Sequence, residues 1–219
     1  MAMFQPAPVR PARRSVALAV GAIAAVGLYV GSMLVGGAAV PGYSHVADSV
    51  SELTSSRGAH RWGLAWGFSA YNAAFAVMSM ALWRSVRRST ASRVGTALWL
   101  IIAGAGVAMV TAFPQDPMGT PLTAAGTGHV ILAGVAALGL IVSAFVWSRA
   151  FRIDDAWAGL ARGTFWFGWA ILAVGGIGAA LGGLVPDLFG LGERFTMVTY
   201  LGWFAWLGVG ALRRSTPRD

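Results

Sequence analysis

The chain has 219 residues, of which 57% are hydrophobic and only 11% are charged. Soluble domains usually carry about 25% charged residues, so this composition predicts a protein that is solvated by lipid. The net charge is +8 and all 16 basic residues are arginine. These arginines lie at the ends of apolar runs, a pattern typical of membrane topology and one that argues against nucleic-acid binding. The absence of cysteine excludes disulfides and thiolate metal sites.

Six apolar runs are long enough to cross a bilayer core of about 30 Å as helices. They are Val16–Val40, Trp62–Leu82, Val94–Phe113, Val130–Trp147, Phe165–Val185 and Thr196–Leu212. The sequence therefore predicts an all-α polytopic membrane protein, a bundle of six transmembrane helices. Its predicted parts are a cytoplasmic arm (1–14), a six-helix transmembrane domain (15–212) and a cytoplasmic tail (213–219). The first run exceeds the apolar core of a cleaved signal peptide, about 7 to 15 residues, so we expect it to be retained.

The arginines sort to one side of these six spans. All but three lie in the N-terminal arm, in the loops after spans 2 and 4, or in the tail, whereas Arg57, Arg61 and Arg194 lie on the other side. Because cytoplasmic loops collect arginine, we expect a multi-pass protein of the cell membrane with both termini in the cytoplasm. An even number of spans agrees with this orientation.

Spans 1, 3 and 5 each end near a proline on the outer side, at Pro41, Pro114 and Pro186. This recurrence indicates three helical hairpins that repeat one ancestral pattern. The alternative is that proline simply ends a helix. Both interpretations stay open on the sequence.

The outer segment 41–62 is unusually polar for this chain. It holds side chains that could bind ligands or transfer protons: His45, Asp48, Ser51, Glu52 and Arg61. Val46, Val50 and Leu53 recur at helical spacing, which predicts a short helix at the outer surface. Ser49 and Glu52 have the spacing of a capping box, a structural alternative to a chemical role.

His129 stands in AAGTGHVILAGV, between a glycine and an apolar run. This position predicts a side chain at or just below the outer interface, where ionisable groups usually face the bundle interior and have a partner. Asp116 and Arg194 lie in two further outer segments. An arginine there could hold a phosphate or a carboxylate by two hydrogen bonds.

The outer cluster admits several interpretations. A metal site could form from His45, Asp48 and His129, with Glu52 or His60 as further ligands, because imidazoles and carboxylates bind zinc-like ions; no HExxH motif is present. Metal-free acid–base or nucleophilic chemistry could use a serine, a histidine and a carboxylate, although no G-x-S-x-G motif is present. Anion binding by the outer arginines is a third interpretation, and a network that merely ties the loops together is a fourth.

Three segments carry a resemblance to a known family: YSHVADSVSELTSSRGAHRW, FPQDPMGTPLTAAGTGH and GLGERF. They resemble the prokaryotic membrane family known as domain of unknown function 998, over nearly the whole chain. The matching residues are Ser44, Ser51, Glu52, Leu53, Phe113, Pro114, Asp116, His129, Gly190, Leu191, Glu193 and Arg194. The resemblance implies six spans and no assigned activity. It singles out Glu52, Asp116, His129 and Arg194.

We hypothesise an integral membrane protein whose outward-facing polar site binds or processes a lipid or a lipid-linked headgroup. Arg194 and Arg61 would hold the anion, and His129 would act as acid, base or ligand. Glu52 or Asp116 would orient His129. Three further side chains would contact the ligand: Ser51, His45 and Asp48. The alternatives are a non-enzymatic scaffold or assembly factor and a small-solute transporter. Membrane lipid is an expected partner, and the sequence leaves the cofactor unknown.

Overall fold

The computed structural model describes residues 13–55 and 60–214, and these residues form helices and connections without any strand. The six long helices are α1 (Arg13–Ala39), α2 (Arg61–Ser85), α3 (Thr90–Thr111), α4 (Ala124–Arg152), α5 (Ala158–Leu184) and α6 (Phe189–Arg214). Two short 3-10 helices, Val50–Thr54 and Pro186–Leu188, lie in connections. The predicted all-α fold is confirmed. Arg57, most of the N-terminal arm and the tail beyond Arg214 lie outside the described residues.

Five of the described helices are long and apolar enough to cross a membrane: Ser15–Ala39, Thr90–Thr111, Ala124–Arg152, Ala158–Leu184 and Pro186–Arg214. Helix α2 has 25 residues, but Tyr71, Asn72 and its tryptophans lower its mean hydropathy. Large apolar side chains cover the outside of the helices; Ile23, Leu138 and Val198 are 68%, 67% and 68% exposed. Soluble monomers rarely expose such surfaces. The fold is therefore that of a polytopic helical membrane protein.

Helix ends follow local sequence signals. Helices α1, α3 and α5 end within three residues of Pro41, Pro114 and Pro186, because proline and the residue before it disfavour helical continuation. Helix α3 begins with a capping box between Ser89 and Ser92. The α1–α2, α3–α4 and α5–α6 connections lie at one end of the bundle, which we call the rim.

The six helices form a closed ring. Each helix packs against its neighbours in sequence, and α6 returns to pack against α1. At the end opposite the rim, the α4–α5 connection bonds to the α2–α3 connection, since the backbone N–H of Arg87 donates to Asp154 Oδ2 at 2.6 Å. The arginines that end α2, α4 and α6 lie at this basic end.

Aromatic side chains fill the basic half of the ring. Phe75, Trp99, Trp147, Trp203 and Phe204 are all 0% exposed. Their rings contact one another, with centroids of Phe75 and Phe204 4.7 Å apart and those of Trp99 and Trp203 5.3 Å apart. This cluster closes the interior at the basic end.

Close backbone packing brings α5 and α6 together near the rim. A Cβ added to Gly178 would lie 2.6 Å from the carbonyl oxygen of Gly192, so a side chain at this crossing would push the two helices apart. Small residues allow such approach between membrane helices. Near this crossing, the start of α6, which carries Glu193 and Arg194, lies beside the connection of α1 and α2.

Candidate functional site

The guanidinium of Arg194 ties the start of α6 to segment 43–48. Its Nη1 donates to the carbonyl oxygens of Asp48 and Gly190 at 2.9 and 2.8 Å. Its Nη2 donates to the Tyr43 hydroxyl and to His45 Nδ1, the latter at 3.1 Å. Protein groups thus occupy both terminal nitrogens, and Nε, which is buried, has no acceptor within the described part of the chain. An anion at Arg194 would contact Nε or displace a protein acceptor.

Segment 43–48 is a compact turn that completes this attachment. The Asp48 carboxylate accepts from the backbone N–H of Ser44 at 2.7 Å, and the backbone N–H groups of Gly190 and Leu191 donate to the carbonyls of Ala47 and Val46. Tyr43 donates to the Ser49 carbonyl at 2.9 Å. Burial raises the pKa of Tyr43 to about 12, although the charge of Arg194 opposes the rise, so its hydroxyl stays protonated.

Residues Val50–Thr54 form a short 3-10 helix, which we call the rim helix. Sequence periodicity predicts a helix from residue 46 onward, but helical structure begins at Val50 because Ser44 and Asp48 organise the preceding residues as a turn. Ser49 caps it by accepting from the Glu52 N–H at 3.2 Å. Across the rim, the Glu193 carboxylate accepts from the Val50 N–H at 2.6 Å.

Glu52 holds the connection between α3 and α4. Its Oε1 accepts from the side chain of Gln115 at 3.1 Å and from the backbone N–H of Met118 at 2.8 Å. These bonds, and not a return bond to Ser49, occupy the carboxylate. Burial raises the pKa of Glu52, and the two hydrogen bonds partly oppose this effect.

Asp116 fixes the start of α4. It is buried, and its two carboxylate oxygens accept from the backbone N–H and the hydroxyl of Thr123 at 2.7 and 3.0 Å. Thr123 in turn caps α4 by accepting from the Gly126 N–H at 3.1 Å. A Cβ at Gly126 would collide with Asp116, so glycine is required there.

His129 is the most enclosed of the predicted site residues, at 4% exposed. Its Nδ1 lies 2.8 Å from the carbonyl oxygen of Phe113, and its Nε2 lies 2.9 Å from Ser51 Oγ. The ring thus joins the end of α3, the second turn of α4 and the rim helix. A backbone carbonyl orients it in this structure, while Glu52 and Asp116 bond to other groups.

An internal cavity of about 480 Å³ begins at this histidine. Its rim end is lined by polar side chains of three elements, the rim helix, α4 and α6: Ser51, Thr54, His129, Glu193 and Thr196. Deeper, the wall is mostly apolar and includes side chains of every long helix, among them Tyr29, Phe75, Ile102, Leu140, Ile171 and Tyr200. This volume lies in the range of about 300–1,000 Å³ typical of small-molecule sites.

The structure brings some predicted residues together and separates others. Ser51 meets His129, and His45 and the Asp48 backbone meet Arg194. Arg61 lies apart, donating to the Thr111 carbonyl at 3.1 Å and covering the Trp62 ring at 4.4 Å. Among the described residues, no three His, Cys, Asp or Glu side chains converge as metal ligands, the alternative set of His45, Asp48 and His129 included.

Sequence reasoning did not anticipate two contributors to the rim. Tyr43 accepts a hydrogen bond from Arg194, and Gln115 donates one to Glu52; both lie within the segments that carry the family resemblance. Glu193 is within the GLGERF motif, where adjacency suggests an ion pair with Arg194; it bonds instead to the rim helix. The motif draws attention to Glu193, but its partner, the backbone N–H of Val50, is known only from the fold.

Fold and site together define a helical integral membrane protein with an internal cavity that is polar at one end. The family model described as "Protein of unknown function (DUF998)" matches residues 23–210, so the chain belongs to this family, as its motifs predict. Comparison with curated proteins and with solved structures finds no match. The geometry of the site is therefore the basis for a functional proposal.

Replacing Arg194 tests its role at the rim. We expect Arg194→Lys to lower the free energy of unfolding by about 2–4 kcal/mol, because an ammonium group cannot reach the four acceptors of the planar guanidinium. Arg61→Lys is the control, since Arg61 donates to a single described acceptor. Thermal unfolding in detergent and proteolysis of segment 43–55 are the measurements. Equal effects of the two substitutions would contradict this role.

Proposed function

We propose that this protein binds a membrane lipid or lipid-linked molecule, with an acyl chain in the central cavity and the headgroup at the rim. The observation that carries the proposal is the polarity gradient of the cavity. Ser51, His129 and Glu193 line one end, and apolar side chains line most of the remainder. A molecule with one polar and one apolar end matches this gradient. Its chain would pass from lipid to an apolar wall, and its headgroup would keep polar partners, so neither transfer costs much free energy.

Small side chains of α4 and α5 create the space for a chain. Ala133, Ala136, Gly175, Gly176 and Ala179 line the cavity where larger residues would fill it. The wall is thus apolar and wide enough for a flexible hydrocarbon.

Binding is better supported than solute transport. The aromatic cluster around Trp99 and Trp203 packs the basic half, where these rings are 0% exposed. Asn72, the amide that lines the cavity in α2, bonds to the Phe68 carbonyl of its own helix at 2.9 Å. A transport path would require polar groups that continue beyond this level.

The proposal includes an orientation with six crossings. Arg84 lies in the last turn of α2, Arg87 and Arg88 follow it, and further arginines end α4 and α6 at the same end of the ring. The positive-inside rule then directs the basic end to the cytoplasm and the rim to the outer side of the cell membrane. Helix α2 would be the sixth crossing, because it packs between α1 and α3 along the ring.

Lipid occupancy is the direct test of the binding proposal. Mass spectrometry of protein purified in native lipid is expected to detect a co-purifying lipid, reduced at least fivefold by Ala136→Phe, whose ring would fill the cavity. Ala173→Phe is the matched control, because Ala173 is exposed outside the cavity on α5. Equal lipid content in both variants, or none in the unmodified protein, would contradict the proposal.

Cysteine labelling tests the orientation and the crossing of α2 together. The chain has no cysteine, so single substitutions report unambiguously. We expect an impermeant maleimide to label His60→Cys, at the rim, in intact cells, and to label Thr90→Cys, at the basic end, only after permeabilisation. Both positions are exposed. Labelling of both from one side would remove the α2 crossing, and the reverse pattern would invert the protein.

A further inference from the structure

The contact between Ser51 and His129 has the directionality of a nucleophile and its base. The Phe113 carbonyl can only accept, so a neutral His129 carries its hydrogen on Nδ1 and donates it across 2.8 Å. The lone pair of Nε2 then faces Ser51 Oγ, 2.9 Å away, and the Ser51 hydroxyl donates to it. A hydroxyl, an imidazole acceptor and a group that fixes the imidazole tautomer are the parts of serine-based covalent catalysis.

The pair also lies where an ester would be. Ser51 and His129 both line the polar end of the cavity, beside Glu193 and above its apolar wall. An acyl chain extending from the aromatic cluster toward the rim brings its carboxyl end to this level. His129 is otherwise enclosed, so the cavity is the side from which a reacting group would approach.

We propose that Ser51 is a nucleophile for acyl transfer from an ester of a membrane lipid, with His129 as general base. This inference rests on the proposed function, because the cavity supplies the acyl chain. The Ser51 oxygen bonds to the ester carbonyl carbon while its proton passes to His129 Nε2. The carbon–oxygen bond to the lipid alcohol then breaks, and the alcohol takes the proton from His129, leaving an acyl ester on Ser51.

The second half of the reaction restores the residue. Water, or another alcohol, attacks the acyl carbon while giving a proton to His129. The bond between the acyl carbon and Ser51 breaks, and the Ser51 oxygen recovers the proton. The net reaction converts an ester and water into a carboxylic acid and an alcohol, or exchanges one alcohol for another. Neither route involves an oxidant or a reductant.

A purely structural role is the competing interpretation, in which the Ser51–His129 bond only holds the rim helix against α4. Ser49 offers a matched control for this case. It lies two residues earlier in the same segment, is buried, caps the rim helix and does not line the cavity. His129→Gln keeps an amide that can bond to Phe113 and removes the base.

The test is covalent labelling of the full-length protein by alkyl fluorophosphonates, located by peptide mass spectrometry. We expect a dodecyl probe to modify Ser51 in the unmodified protein and in Ser49→Ala. Ser51→Ala should abolish this adduct, and His129→Gln should slow its formation about 100-fold or more while the melting temperature stays within the range of Ser49→Ala. Release of p-nitrophenolate from p-nitrophenyl decanoate should follow the same order.

The outcomes separate this inference from the proposed function. An unlabelled Ser51 in folded protein that still retains lipid would overturn the nucleophile and leave lipid binding standing. Labelling by both a dodecyl and an ethyl probe without any co-purified lipid would support the nucleophile and overturn the lipid site. Ala136→Phe should block the dodecyl probe and admit the ethyl probe. An adduct on Ser51 that forms as fast in His129→Gln would also overturn the assignment of the base.

Discussion

The set of hydrogen bonds made by the partly buried guanidinium of Arg194 is the interaction on which the rim depends. Its terminal nitrogens bond to groups of segment 43–48 and to the first turn of α6. The adjacent Glu193 holds the N–H of Val50, where the rim helix begins. Removing a cation from water is unfavourable unless acceptors surround it. The turn of segment 43–48 and the Arg194 guanidinium therefore each depend on the other for stability. Ser51 meets His129 as a consequence of that attachment.

The interior of the ring is divided between two kinds of packing. Toward the basic end, Trp99, Trp147 and Trp203 fill the ring completely. Toward the rim, alanine and glycine of α4 and α5 leave a cavity of about 480 Å³. Small residues let membrane helices pack closely, and where they face the interior of the ring they also leave space that larger side chains would fill. This asymmetry gives the cavity a closed apolar end and a polar end at which chemistry could occur.

Much of the fold is readable from the sequence, because long apolar runs and the prolines at 41, 114 and 186 set helix number and ends. The polarity of α2 weakens the pattern there, since buried Tyr71 and Asn72 face the interior and not lipid. The sequence also places His129 near the rim. The partners of His129 could not be predicted from the sequence. One is the backbone carbonyl of Phe113, and the other, Ser51, is one of several serines in a segment where the helix begins at Val50 and not at Val46 as the periodicity predicts. The partners of Arg194 could not be predicted from the sequence either, because most of its acceptors belong to the backbone or to a loop tyrosine.

The central claim is that the ring encloses a lipid chain whose polar end lies at Ser51 and His129. Photocrosslinking with a phospholipid that carries a diazirine within its acyl chain tests this claim most directly. Adducts are expected on cavity-lining residues such as Met109, Val110 and Met197. Adducts confined to the outer faces of the helices, at residues such as Ile177 and Val198, would contradict it.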